Sequence, residues 1–576
     1  MFARVPGTRM RWLQLPPRWS TVLGALSMAA CVATESPIVP DPPAPPPPPP
    51  TPQPELVCTT PDVPDTAFTP SRLLTRFEYD NTVRDLLGLP EDMTPSASFP
   101  PENRVMGFDN NAVAHVVSPL LVNNYADAAE RLANLALSTQ RARLVPCDPA
   151  VSGEAACGRA VITKLAPAAF RRALEPSEQQ ALELFFDTTL AAEGFDTAVS
   201  LVVQVILQSP QFLYRIEPGD PTMVEPSRLS PLVGAELATR LSYFLWGSAP
   251  DDELLSAAQR GELETTEGYR AQVQRLLAHP RARRSVRHFN AQALEAERLA
   301  TIAKDRVLFP EFDAALVASW QGSFERFVEE AYFGQGGGLD KLMKDPSVWV
   351  DARLARHLQL PAPPEGEWRK VERDATVYAG ILTQPALMAV LSLNNQSSPI
   401  KRGVFVREKL LCQTLPPPPP NVPIMPPDPD PNSTTRERFK EHTSQVFCAS
   451  CHQRIDPIGF SLEAFDSLGR YRATEAGKTI DTTGELAWLR DKAKEGQLSG
   501  AHDLATTLAE LDEVSDCFAR QWFRYAIGRE VQAADTCSLV NVQTVFAESG
   551  GDFRVLLGAI AETDAFRYRV VQAVQP

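Results

Sequence analysis

Apolar residues recur at spacings of three and four along most of the chain beyond residue 70, the period of helices with one face turned inward. In LTRFEYDNTVRDLLGLP that period is bracketed by helix signals. Thr75 is placed as N-cap with Glu78 three residues on, a capping box, and Leu74 and Tyr79 are set as a hydrophobic staple; Gly88 and Pro90 mark the stop. EPSEQQALELFFDTTL repeats the device with Ser177 and Gln180. LSPLVGAELATRLSYFLW predicts Ser230 as N-cap and Pro231 at the first helical position, with an apolar face through Leu241, Phe244 and Leu245. SSPIKRGVFVREKLLC uses Ser398 and Pro399 in the same way. Strand-like alternation is scarce, and GKTIDTTGEL around Ile480 is the best candidate for a short hairpin. The pattern predicts a mainly α fold of several consecutive helical modules.

Two stretches echo each other. QVILQSPQFLYR (204–215) and GAIAETDAFRYR (558–569) share an apolar helix end, then Ser or Thr, then Phe-x-Tyr-Arg. If the echo is more than coincidence, it marks two related helical units in which the aromatic pair caps a core and the arginine meets a carboxylate. Proline supplies the punctuation. PIVPDPPAPPPPPPTPQPE (37–55) fixes φ and removes donors, so it reads as a stiff polyproline II stalk, roughly 18 residues at ~3.1 Å each or about 55 Å. A second run, LPPPPPNVPIMPPDPDPN (415–432), divides the body.

The first thirty residues point outward from the cytoplasm. Arg4, Arg9, Arg11 and Arg18, without an acid, precede the apolar run TVLGALSMAA, too short to span a bilayer but suited to an export signal. Ala29-Ala30 before Cys31 looks like a bacterial lipobox, which predicts cleavage there and lipidation of Cys31. Val32 after the cysteine, in place of aspartate, points to an outer-membrane destination. The expected order is a signal peptide (1–30), a Pro-rich tether (31–60), and helical modules at 61–155, 156–225 and 226–374. A CxxCH-bearing module at 375–494 and a C-terminal helical module at 495–576 follow.

Charge narrows the partners. Loss of the four signal-peptide arginines takes the net charge from −15 to −19, which argues against nucleic acid and anionic surfaces. A cationic redox partner protein or a neutral substrate fits better, with the membrane reached only through the N-terminal lipid. Nine cysteines are present; setting aside Cys31, Cys448 and Cys451 leaves six, an even number suited to disulfides in an exported chain. The expected pairs are Cys147–Cys157 across a turn-rich loop, Cys517–Cys537 between antiparallel helices, and Cys58–Cys412 by elimination.

The strongest chemical signal is VFCASCHQRID, in which Cys448 and Cys451 are three apart and His452 follows at once. Two thiols at that spacing can meet the two vinyl groups of a haem, and the adjacent imidazole reaches the iron from the same turn. Export supports covalent haem c with His452 as proximal ligand. Structural zinc would want a second ligand pair, and a redox CxxC would leave His452 without a role. Upstream, Thr434 and Glu437 form a capping box for the helix entering the motif; downstream, Ile458, Phe460, Leu462, Phe465 and Leu468 are placed to cover a ring or simply to pack a core. The distal ligand is open, with Met425, Met388, His442 and His502 as candidates or a vacant sixth position.

These stretches together resemble a family of exported bacterial proteins built from modules catalogued as domains of unknown function, fifteen-eighty-seven, fifteen-ninety-five, fifteen-ninety-two, fifteen-eighty-eight and fifteen-eighty-five. LLTRFEYDNTVRDLLGL is similar to the first, FRRALEPSEQQ with ILQSPQFLYRIE to the second, and ELATRLSYFLWGSAPDDELL to the third. GILTQPALMAVLSLNNQSSPIKRGVFVREKLL with FCASCHQRIDPIGFSLEAFDSLGRYR is similar to the fourth, and CFARQWFRYAIGRE to the fifth. The resemblance implies a mostly helical fold whose C-terminal third is cytochrome-c-like, one c-type haem, and no settled substrate. Leu393 stands where relatives often have histidine, and only one CxxCH is present, so a second haem is not implied. Lys401 and Arg402 of that module are cations able to pair with haem propionates. Two function classes follow: a surface-anchored monohaem protein passing electrons or serving as the redox centre of an oxidoreductase, or a binding lipoprotein for polymeric or carbohydrate material whose CxxC is structural. No paired-carboxylate, Ser-His-Asp or phosphate-loop pattern supports a hydrolase.

Overall fold

In the computed structural model the described residues are 55–59, 66–219, 229–416, 426–444 and 446–570, with backbone alone at 441–444, 446, 447 and 450. The expectations for the signal peptide, Cys31, most of the tether, Met425 and the His442 side chain lie outside them. The chain is mainly α, and among the described residues the strands form two-stranded pairs. No described helix is long and apolar enough to cross a membrane.

Local signals start several helices where the sequence puts them. Helix Arg76–Leu87 carries the Thr75–Glu78 capping box, with both bonds at 3.0 Å, and ends on Gly88 in the left-handed region. Helix Pro399–Phe405 is capped by Ser398 with proline in its first turn. Two starts differ. Helix Pro176–Glu193 is capped by Glu175, whose box partner is Glu178, so Ser177 lies inside the helix. Leu229–Pro231 is a strand, and the following helix begins only at Ala235 after Gly234. Ser230 pairs there with Arg569 from the far end of the chain, so the segment is drawn into a ladder rather than a cap.

The 204–215 and 558–569 stretches fold alike. Helix Phe195–Gln208, Ser209, the turn Pro210–Leu213 and strand Tyr214–Arg215 match helix Phe553–Glu562, Thr563, the turn Asp564–Arg567 and strand Tyr568–Val570. Each strand pairs antiparallel with one just ahead of a helix, Arg72–Leu73 in one case and Leu229–Pro231 in the other. Phe212 and Phe566 are both fully buried. A buried arginine ties each turn: Arg171 donates to the carbonyls of Phe212 (3.0 Å) and Tyr214 (2.7 Å), and Arg240 to those of Phe566 (2.7 Å) and Tyr568 (3.1 Å). Arg215 meets Glu78 at 3.2 Å, which is what the echo predicts for one of its two arginines.

Hydrophobic side chains gather into two clusters. One is built from residues between Leu73 and Leu213 with Tyr243, the other from Leu232 to Phe566 with Phe108. Three disulfides reinforce them: Cys147–Cys157, Cys58–Cys537 and Cys412–Cys517. The pairings Cys517–Cys537 and Cys58–Cys412 are therefore corrected. Cys412 ends the segment that follows helix Pro399–Phe405 and lies against helix Asp512–Ile527, which holds Cys517, while residues 55–59 run to the start of helix Thr536–Glu548. Removing the Thr75 cap by Thr75→Ala should lower unfolding stability by about 1 kcal/mol in a urea titration, with no change in the slope of the transition.

Candidate functional site

Cys448, Cys451 and His452 lie on helix Val446–Phe460, entered from helix Thr435–Ser444. The entering helix starts as the sequence predicts, with Thr434 N–H donating to Glu437 (2.8 Å) and Glu437 N–H to Thr434 Oγ1 (3.3 Å). A hairpin, Thr474–Glu475 with Lys478–Thr479, clasps it. Thr435 donates through N–H and hydroxyl to Glu475 at 2.7 and 2.9 Å, and Lys478 pairs with Glu437 at 2.7 Å. A second strand pair, Thr483–Leu486 with Gly496–Ser499, packs against the motif helix.

Glycines decide how closely that helix is held. A Cβ on Gly403 would come within 2.0 Å of the Ile455 carbonyl oxygen, and one on Gly459 within 1.9 Å of the Pro399 oxygen. One on Gly484 would meet the Pro457 oxygen and Ser461 Oγ at 2.3 Å. No other residue permits this approach of backbone to backbone. Buried arginines fasten the surroundings. Arg402, wholly buried, donates to the carbonyls of Leu462 (2.7 Å) and Phe465 (2.8 Å) and to Ser392 Oγ (3.2 Å). Arg407 donates to the Arg454 carbonyl from Nε and Nη2 at 3.1 and 2.9 Å, and Arg454 in turn lies 4.9 Å over the Trp488 ring. Burial pulls both Arg402 and Arg407 down to about 10.

At the motif itself, His452 Nδ1 lies 3.0 and 3.1 Å from the two carboxylate oxygens of Asp456, one turn on. The Asp456 side chain is 1% exposed and the imidazole 21%. Cys448 and Cys451 are half-buried thiols outside any disulfide, whereas every other described cysteine is bridged. Among the described residues no group of three or more His, Cys, Asp or Glu is disposed to hold a metal ion.

The other predicted site residues are placed differently. Arg402 cannot serve propionates, because its guanidinium sits inside the core with both terminal nitrogens given to protein acceptors. Lys401 is half-buried and donates to the Ser392 carbonyl at 3.0 Å; burial lowers its pKa, and Arg298 adds to the effect. Met388 is fully buried in the larger hydrophobic cluster, as core filler. Ile458, Leu462, Phe465 and Leu468 belong to the same cluster, and Phe460 is buried under the Arg436 guanidinium, 4.2 Å from its ring. Asp456, Arg407 and the three glycines are what sequence reading missed. For Asp456 the signal was present, an acid at i+4 from the histidine on a helix.

Five family models match the chain in order and without overlap: protein of unknown function DUF1587 at residues 72–138, DUF1595 at 157–217, DUF1592 at 232–360, DUF1588 at 378–475 and DUF1585 at 495–566. The chain belongs to this five-module family. The DUF1588 module, whose short name PSCyt3 is cytochrome-like, contains the motif helix, its glycine contacts Gly403 and Gly459, and the clasping hairpin strand Thr474–Glu475. No curated protein and no solved structure matches the chain.

Lys304, from the DUF1592 module, supports the 391–398 loop of the DUF1588 module by donating to the carbonyls of Ala389 (2.8 Å) and Leu393 (2.9 Å). Burial, with Lys401 and Arg402 nearby, lowers its pKa from 10.5 to about 7. Between those values the unfolded chain binds a proton that the folded chain does not, so stability rises with pH from about 7 to 10.5. A neutral amine still donates to both carbonyls. In Lys304→Gln that slope should flatten in urea titrations across the same window. Gly459→Ala should destabilise the fold by about 3 kcal/mol, since a methyl group would enter the Pro399 carbonyl; chemical denaturation measures the loss.

Proposed function

We propose that this protein is an exported, lipid-anchored c-type haem protein that transfers electrons or forms the redox centre of an oxidoreductase. Cys448 and Cys451 would hold one haem through thioether bonds, and His452 would bind its iron on the proximal side. The observation that carries this reading is the selective thiol pair. In a chain whose other described cysteines are all bridged, the two that remain thiols stand three apart on one helix with a histidine next to them. Two cysteines outside any disulfide at this spacing offer the attachment points that a covalent haem takes.

The family match supports the same reading, through a module with a cytochrome-like name. The donor set fits a haem better than zinc: the His452 imidazole would offer one nitrogen to the iron, and the two thiols would offer its two attachment points. The bound group would supply one-electron chemistry; the chain's own residues hold and orient it. Lipidation at Cys31 would place this centre at the cell envelope, outer membrane included, with the proline-rich tether between lipid and body.

The test is spectroscopic. Expressed with haem-maturation machinery, the full chain should give a pyridine haemochrome that survives denaturation, and Cys448→Ala with Cys451→Ala should abolish it. A colourless wild type would favour the alternative, a surface binding lipoprotein with a structural CxxC.

A further inference from the structure

The Asp456 carboxylate has a single hydrogen-bond partner among the described residues, His452 Nδ1, met by both oxygens at 3.0 and 3.1 Å. It is 1% exposed at the side chain, on a helix gripped from two sides by glycine contacts. A buried carboxylate with one partner holds that partner firmly, because an unpaired charge in that position is strongly unfavourable. With a carboxylate facing it, Nδ1 is the nitrogen placed to donate, and Nε2 is the one turned away from Asp456. A second carboxylate–imidazole pair among the described residues runs the opposite way: His288 faces Asp109 through Nε2, at 2.9 Å.

Resting on the haem reading, we infer that Asp456 is a positioning residue that fixes the tautomer and ring plane of His452 and makes it an electron-rich proximal ligand. A carboxylate behind an axial imidazole raises its basicity and favours the higher oxidation state of the metal it binds. The centre is thereby set toward low potential, suited to donating electrons rather than to drawing them from a high-potential partner. His452 and Asp456 lie at i and i+4 on one helix, so their separation is set by helix geometry rather than by loop placement.

The experiment compares the loaded wild type with Asp456→Asn, which keeps shape and removes charge. Covalent haem content is read first by haemochrome; its absence from the wild type overturns the haem reading, not the carboxylate pairing. With haem present in both, Asp456→Asn should shift the oxidised-to-reduced ratio at fixed solution potential at least tenfold toward reduced, which is 59 mV for one electron. The iron–histidine stretching band of the ferrous form should also fall in frequency. Equal potentials and an unmoved band would overturn the inference. A second measurement needs neither haem nor substitution. In the full chain expressed without maturation machinery, ring-nitrogen chemical shifts should show His452 protonated at Nδ1 and bare at Nε2. The opposite tautomer would refute the pairing directly.

Discussion

Helix Pro399–Phe405 and the motif helix meet backbone to backbone at Gly403 and Gly459, and the geometry of the site depends on that contact. Gly403 lies on the Ile455 carbonyl and Gly459 on the Pro399 carbonyl, so side chains cannot intervene between the two axes. Residues three and four apart share a helix face, which places His452, Asp456 and Gly459 along one stripe and Ile455 beside it. Asp456, within that stripe, is 1% exposed at its side chain. The imidazole one turn above then points its Nδ1 edge at a carboxylate that has no other partner among the described residues. Pro457, inside this helix, removes one N–H from the ladder, and the strand segment at Gly484 packs directly on its carbonyl.

Buried guanidinium groups recur as ties between segments far apart in the chain. Arg171 and Arg240 bind equivalent carbonyls in the two related turns, and Arg402 and Arg407 bind carbonyls around the motif helix. A planar fork with five donors suits this task, and for Arg171, Arg240 and Arg402 the carbonyls lie at turns or beyond a helix end, where ladder partners are lacking. Their burial lowers the pKa of Arg402 and Arg407 only to about 10, so both remain cations at neutral pH. In an acidic protein these charges are internal fasteners, not a surface for anions.

What could be read from the sequence was what short-range chemistry decides. The Thr75 and Thr434 boxes and the Ser398-Pro399 start are local hydrogen-bond and φ constraints, and the structure contains them. Ser230-Pro231 carried the same signature but lies in a strand, because Arg569 from the last segment competes for its backbone. Ser177 lost its role to Glu175, two residues earlier, where Pro176 takes the first helical position. Long-range choices were not legible: Arg402 reads as a surface cation until the segment after the motif folds over it, and cysteine partners follow from the packing of distant helices. Asp456 was legible in principle, as an acid one turn from the histidine, and its meaning came only from its burial.

The Cys58–Cys537 bridge spans 479 residues and joins the start of the described body to the DUF1585 module. It closes nearly all of the protein into one covalent ring. The bridge fixes the segment at Cys58 directly to helix Thr536–Glu548, with the DUF1587 module lying between the two cysteines in sequence. A single backbone cut inside the ring leaves both pieces on the same molecule until Cys58–Cys537 is reduced, and a cut between Cys412 and Cys517 or between Cys147 and Cys157 stays bridged even then.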